Sequence, residues 1–584
     1  MPMIKDHIAA KIRDALKKIG CEVTVVEIEE PVNRAFGDYS TSVALRLAKT
    51  IKQQPLIIAK KIAEEILADK YIHKAEAVKP GFVNFWLTKD YLLKQTKDIV
   101  LKKTEYGKTS VYENKKILIE FTDPNPFKEF HIGHLYSNTV GESLARLYQT
   151  LSADIKRANY QGDVGMHVAK SIWGLKKQMK EDGLSLADIE KKELNEKIKY
   201  LGKSYALGAT LYETDQQAKD EITQLNKKIY DKNPEITDIY EKGRRWSLEY
   251  FEKIYDRLGM KAVHGGKHFD FYYFESLVGG KGLDLVKTFI PKGIFEKSQG
   301  AIIFPGEKYG LHTRVFINSL GLPTYEAKEL GLAIKKSEDF DYDQSIVVTG
   351  NEINGYFKVL LKSLSLIRPD LAAKTVHIGH GMVKLPEGKM SSRTGKIITG
   401  LSLIEQTKKE VMKIIEKSKK IDLKDRETIA EKVTVGAIKY SLLKNGIGHD
   451  VIFDMKETLS LEGNSGPYLQ YTYARCQSVL RNCQLDYNLN PDDIGFLEAE
   501  EVSLLRALAK YPDTVCLAGN NLSPHLICNY LYDLSQKFNY FYQKLPIIKT
   551  EKQTKRLRLL LTTATAQVVK NGLFLLGIET VDRM

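Results

Sequence analysis

Two histidines one helical turn apart, His131 and His134, stand at a strand-to-helix junction. Ahead of them, Ile117-Leu118-Ile119-Glu120-Phe121 reads as a short apolar strand and Thr122-Asp123-Pro124-Asn125-Pro126 as a turn. Behind them, apolar residues at Ile132, Leu135, Tyr136, Val140, Leu144, Leu147, Tyr148 and Leu151 recur at spacings of three and four, which predicts an amphipathic helix. A helix N-terminus reached through such a turn offers free backbone N–H groups and the positive end of the helix dipole, which suits a phosphate. The imidazoles add donors for phosphate oxygens. Lys116–Leu151 therefore reads as a nucleotide site.

A second candidate is the loop Gly388-Lys389-Met390-Ser391-Ser392-Arg393-Thr394-Gly395-Lys396. Glycines bracket it, and Lys389, Arg393 and two hydroxyls suit the charge that develops on a triphosphate. A basic surface loop is the plain alternative. His377-Ile378-Gly379-His380 repeats the tetrapeptide at 131–134, but its surroundings are extended and no amphipathic helix follows. The dipole argument fails there, and its histidines read as coincidence. Tyr325 and Glu329, four apart after Pro323-Thr324, share a helix face and could bind a cation, although a first-turn glutamate is common on any helix. Glu275 lies among aromatics, so it is either paired with a cation or at the surface. Tyr468, Tyr471 and Arg475 share a face suited to stacking on unpaired bases, with core packing as the alternative. Lys552, Lys555, Arg556 and Arg558 could follow a phosphate backbone.

The elements that must position these groups fall into three parts. Residues 1–108 read as a small α+β domain with helices at 4–19, 41–51 and 55–68, a strand at 23–26 and another ending at Leu87. Lys102–Lys108 reads as a linker. Residues 109–410 mix strand and helix signals as a doubly wound Rossmann-type sheet would, with strands at 154–159, 301–304, 314–317 and 345–348 and a charged helical insertion at about 171–258. Residues 411–584 are helical. The 584 residues exceed what one core serves, and the net charge of +14 points to a polyanionic partner, nucleic acid first, with a solvated lysine-rich surface as the plain alternative. Five cysteines without zinc spacing predict a reducing compartment and no structural metal. No run is long and apolar enough to span a membrane, so a cytoplasmic location is expected.

The tetrapeptide at 131–134 together with Lys389-Met390-Ser391-Ser392-Arg393 resembles the paired signatures of class I aminoacyl-tRNA synthetases. Within that class the chain resembles the arginyl family over nearly its whole length. The carriers are Phe36–Leu45 and Gly81–Phe85 near the start, Pro323-Thr324-Tyr325, Gly466–Tyr471 and the ending Leu576-Gly577-Ile578-Glu579. The resemblance implies ATP-dependent ligation of L-arginine to tRNA through an arginyl-adenylate, with Mg²⁺ accompanying ATP. It implies that His131 and His134 contact ATP phosphate and ribose, that Gly133 lets adenine approach, and that Gly381, Met382 and Val383 meet adenine's edge. It further implies that Lys389, with Ser391, binds and stabilises the phosphates. Asn125 is expected at the α-amino end of arginine, and Glu275, Tyr325 and Glu329 at the guanidinium. Tyr468, Tyr471, Arg475 and the terminal Met584 are expected to meet tRNA, and a monomer is expected.

Three departures bear on these roles. Glu329 stands where the family usually has aspartate, and Asp123 where serine is frequent. Ser392 replaces the second lysine of the mobile-loop signature, and Lys128, just before the histidines, is assigned a phosphate role in its place. The rival readings are a class I ligase for another amino acid, a non-catalytic synthetase-like tRNA-binding protein, and a shorter kind of nucleotidyltransferase carrying the same tetrapeptide.

Overall fold

The computed structural model describes residues 4–31, 33–263, 265–384, 386, 399–417, 421–481, 483, 486, 489 and 494–584. Five parallel strands form the central sheet, in the order Thr375–His380, Gln344–Gly350, Lys116–Glu120, Asp154–Gln161, Phe271–Phe274. The apolar run at 117–121 becomes the middle strand because both of its faces are buried, as parallel sheets require. From it the chain builds outward to one side and then to the other. This is the doubly wound order expected from the sequence.

Two of the expected strands lie elsewhere. Ala301–Phe304 and Arg314–Ile317 join Glu296–Ser298 in a separate antiparallel sheet. Both strands are only partly buried along most of their length, as suits a small antiparallel sheet with one face open. The expected insertion is helical as read, comprising Met166–Asp182, Leu186–Glu190, Leu194–Thr214, Gln216–Tyr230 and Pro234–Arg257.

In the first part, Tyr39–Thr41, Ile72–Val78 and Phe82–Leu87 make a three-stranded antiparallel sheet packed by helices Ile4–Lys18, Val43–Ile51, Pro55–Glu65 and Lys89–Lys102. Residues 23–26 form no strand, and the chain regains pairing only at Glu29, opposite Ser40. The β-branched residues there had no partner strand to complete. The segment read as a linker is anchored. Tyr106 is buried and stacks on Tyr511, and Asn571 Nδ2 donates to the carbonyls of Lys103 and Tyr106. Arg506 pairs with Asp38, and the Tyr39 hydroxyl donates to Asp513, so this domain rests on the helical C-terminal part. That part holds the long helices Gly466–Leu480, His525–Lys544 and Lys552–Leu575. The helix Gly400–Glu416 runs unbroken across residue 410.

One buried cluster ties the helix that follows the histidines to everything around it. Glu142 accepts from both Arg146 and Arg157, while Arg146 also donates to the carbonyls of Phe574 and Gly259. Burial alone would raise the Glu142 carboxyl, but the two guanidiniums overcome it and hold the pKa at about 2. The ionised form is thus favoured by folding. Its contribution is complete above about 4.5, the unfolded value, and disappears as pH falls through about 2. Urea-unfolding midpoints are expected to drop as pH falls from about 4.5 towards about 2. Glu142→Gln is expected to be less stable at neutral pH and to show a flatter acid dependence.

Candidate active site

The strand order reverses beside Lys116–Glu120, and the crevice opens there, at the carboxyl ends of that strand and of Gln344–Gly350. A cleft of about 500 Å³ occupies it. Asp123 and Asn125 come from the first turn, His131 and His134 from the following helix, and Gly381, Met382 and Val383 from beyond the strand Thr375–His380. Of the expected nucleotide residues, His131, Gly133, His134, Gly381, Met382 and Val383 are therefore brought together by the switch point.

The two histidines cap the helix Ile132–Thr150. The His134 N–H donates to His131 Nδ1 at 3.4 Å, and the His131 N–H donates to His134 Nδ1 at 3.2 Å. Their rings stack with centroids 3.5 Å apart. Both Nδ1 atoms accept, so in the neutral imidazoles the proton sits on Nε2 of each. Burial, then the nearby Lys128 and His380, lower His131 to about 4, and burial carries His134 well below its ordinary value. The pair is a neutral two-donor device at physiological pH. Gly133 keeps it intact: a Cβ there would sit 3.0 Å from the His131 ring. Lys128 lies over the Tyr205 ring of the helical insertion, 4.9 Å from its centroid.

The second tetrapeptide is a strand, as its context predicts, yet one of its histidines belongs to the site. His380 is buried, lines the cleft and packs 4.4 Å from the Tyr136 ring, which corrects the reading of both histidines as coincidence. His377 points elsewhere, stacked on Phe357 and bonded to Thr349 Oγ1. Alternation along a strand sends residues three apart to opposite faces, and no sequence signal showed which face met the cleft. Both main-chain groups of Met382 are already engaged: its N–H donates to Asp450 Oδ1 and its carbonyl accepts from the Val451 N–H. Lys389 and Ser391 lie outside the described residues. The chain returns at Thr399, which bridges to His131, and the Gly400 N–H donates to the Phe130 carbonyl at 2.7 Å.

Beside the cleft sits a cluster of acidic side chains. Glu275 is buried and bonded to Lys328 Nζ at 2.6 Å, Glu120 to Lys336 Nζ at 2.9 Å, and Glu326 to Arg314 at 3.2 Å. The sequence required a cation for a buried Glu275, but only the tertiary contact between two helices identified Lys328. Glu329 has no pairing cation of its own among the described residues. Burial, then the Glu120 charge, pushes its carboxyl well above the ordinary range. Tyr325 stands at the rim, 56% exposed. The buried Tyr160 hydroxyl, in the field of Glu275 and Glu329, has no partner among the described residues. Asn125 and Glu275 converge on Gly162, where an added methyl would lie 2.4 Å from Asn125 Oδ1 and 3.1 Å from Glu275 Oε1. Gly162→Ala is expected to displace both and to raise KM for the bound amino acid by about tenfold, with little change in KM for the nucleotide, as steady-state kinetics would read.

On the helical side the expectations divide. Tyr468 is corrected: its ring is 9% exposed and its hydroxyl accepts from Asn539, so it packs the core and cannot stack on a base. Tyr471 and Tyr542 flank the Arg475 guanidinium, and Tyr471 lines an apolar hollow closed by Met584. Arg558 is likewise corrected: it is buried against Glu501, leaving Lys552 and Lys555 for any polyanion, with Arg556 paired to Asp486.

A Rossmann sheet whose switch point carries a histidine-capped helix and an acidic pocket defines a class I aminoacyl-tRNA synthetase. Residues 95–455 match the model of the tRNA synthetases class I (R) catalytic domain, 469–584 the DALR anticodon binding domain, and 6–87 the arginyl tRNA synthetase N terminal domain. An arginine–tRNA ligase of Clostridium acetobutylicum is 32% identical over 95% of this chain and 96% of its own. One from Clostridium botulinum is 32% identical over 99% and 100%. The arginyl-tRNA synthetase of Thermus thermophilus superposes with a TM-score of 0.83 over the whole of both chains at 23% identity. The chain belongs to the arginyl-tRNA synthetase family.

Proposed function

We infer that the protein ligates L-arginine to tRNA, using ATP and releasing AMP and pyrophosphate. The cluster of carboxylates beside the histidine-capped helix is the observation that carries this reading, because Glu329 in it has no pairing cation of its own among the described residues. The arginine carboxylate attacks the α-phosphorus, the pyrophosphate leaves, and the arginyl group then passes to the terminal ribose of the tRNA. No protein nucleophile is needed; positioning and charge do the work.

In this reading the Nε2–H groups of His131 and His134 donate to ATP oxygens, and Lys128 and Lys389 offset phosphate charge, with Ser391 as a further phosphate contact. Gly133 admits the base, and Gly381, Met382 and Val383 border it. Asn125 holds the α-amino end of arginine, while Glu275, Tyr325 and Glu329 enclose the guanidinium. Carboxylate–guanidinium pairing can be bidentate, which disfavours lysine. Tyr471 and Arg475, with Met584 closing the neighbouring hollow, receive bases of the tRNA. Mg²⁺ accompanies ATP, bound through its phosphates. The enzyme acts as a cytoplasmic monomer of three units, 1–108, 109–410 and 411–584. Its five free cysteines suit a reducing compartment. No described helix is long and apolar enough to cross a membrane.

Arginine-dependent ATP–pyrophosphate exchange, run with and without tRNA, tests the reading. Exchange is expected with arginine and tRNA together and to be weak without tRNA. Absence of exchange under both conditions would sink the enzymatic reading, and exchange with lysine in place of arginine would sink the pocket assignment.

A further inference from the structure

Asp163, outside the arginine and nucleotide contacts, gathers three hydrogen bonds and an ion pair on one carboxylate. It stands in the turn between the strand Asp154–Gln161 and the helix Met166–Asp182, next to Gly162, and is fully buried. The Ser276 N–H donates to Asp163 Oδ1 at 2.9 Å, and the Ser276 hydroxyl donates to Oδ2 at 2.7 Å. The Tyr240 hydroxyl donates to Oδ2 at 3.1 Å, and Arg244 Nε lies 3.2 Å from the same oxygen.

These contacts come from two sides. Ser276 is the second residue of the helix Glu275–Phe289, whose own N-cap, Phe274, supplies no capping bond. An N-cap oxygen ordinarily accepts from the second or third N–H of its helix. Asp163 Oδ1 does so from another element, and its negative charge suits the positive end of the helix dipole. Glu275 is the first residue of the capped turn. Its place beside Lys328 and Gly162 is therefore set where Asp163 grips Ser276. Tyr240 and Arg244, four apart on the helix Pro234–Arg257, share a face and belong to the helical insertion. The Arg244 guanidinium also lies 3.9 Å from the centre of the Phe274 ring. One carboxylate thus fixes both the insertion and the helix start that carries Glu275.

We propose that Asp163 is a positioning residue for amino-acid recognition: it caps the Glu275 helix from outside and clamps Tyr240 and Arg244 of the insertion onto that cap, so that docking of the insertion helps to aim Glu275. Asp163 itself touches no substrate. A small misplacement of Glu275 weakens its hold on a guanidinium and leaves the step at the α-phosphorus unaltered, so the effect falls on KM rather than kcat. The proposal rests on the arginine pocket inferred above.

Full-length enzyme with tRNA is assayed by pyrophosphate exchange. Asp163→Ala removes cap and clamp together and is expected to raise KM for arginine by about tenfold, while kcat and KM for ATP stay within about twofold. Asp163→Asn keeps an oxygen for the Ser276 N–H and loses the pairing with Arg244, so the rise is expected to be only about threefold. Tyr240→Phe combined with Arg244→Gln strips the clamp and leaves the cap. This double variant is likewise expected to give about a threefold rise, and it serves if the alanine variant folds poorly. In a Glu275→Gln background, Asp163→Ala is expected to change KM for arginine by less than about twofold, because the charge it positions is gone. A KM for arginine unchanged by Asp163→Ala or by the double variant overturns the proposal. So does an undiminished rise in the Glu275→Gln background, which would make Asp163 a support of the fold alone. Absence of exchange by the wild-type enzyme would instead refute the function inferred above.

Discussion

Replacing His134 by alanine is expected to lower kcat for arginine-dependent pyrophosphate exchange by about 10²–10³-fold, the usual consequence of removing one preorganised donor from a site of charge development. The structure gives the reason. His134 is neutral, its Nδ1 is occupied by the His131 N–H, and its Nε2–H is the atom left to serve the nucleotide. The substitution also removes half of a helix cap, which costs about 1 kcal/mol in stability. The two effects are separable. His131→Asn keeps a side chain favoured at an N-cap but loses the Nε2–H, so kcat is expected to fall with little change in the unfolding midpoint. A loss of activity that follows the loss of stability in both variants would mean that the histidines only cap the helix. KM for arginine is expected to move little in either.

Glu329→Gln, which removes charge at nearly constant size, is expected to cost at least about 1.5 kcal/mol in kcat/KM for arginine, more than tenfold, the low end for a hydrogen bond to a charged group. Discrimination against lysine is expected to shrink as well, because the planar carboxylate is what matches a guanidinium. The pH dependence supplies an independent check. Burial and the Glu120 charge raise the Glu329 carboxyl. The arginine-binding form is the ionised one. KM for arginine in the wild type is therefore expected to rise on acidification at a higher pH than an ordinary carboxylate would give, and the glutamine variant is expected to lose part of that dependence. A kcat/KM unchanged by the substitution would make Glu329 an ordinary helix residue.

Much of this protein was legible without coordinates, and what was legible is local. The strand, turn and capped helix at 116–151 follow from a pattern that completes itself within about ten turns of chain: apolar residues at helical spacing, a proline-rich turn, and side chains at the first helical positions that can satisfy free N–H groups. The helical insertion and the helical C-terminal part follow from the same periodicity. Glu275's need of a cation was also foreseeable, since burying a charge alone is unfavourable at any position.

What required the tertiary structure is the identity of partners distant in sequence. Nothing near residue 275 names Lys328, nothing near 120 names Lys336, and nothing near 475 says that Tyr468 faces inward against Asn539 while Tyr471 stays at the rim. Strand patterns at 301–304 and 314–317 could not reveal which sheet they join, because pairing is decided by what else reaches the same edge. The same holds for His380, which a local reading dismissed and the switch point placed in the cleft. Sequence spacing fixes which residues share a face, whereas packing decides what that face meets. For this chain the first sufficed to find the nucleotide site, and only the second showed that Lys328, Lys336 and Arg314 are the cations paired with Glu275, Glu120 and Glu326.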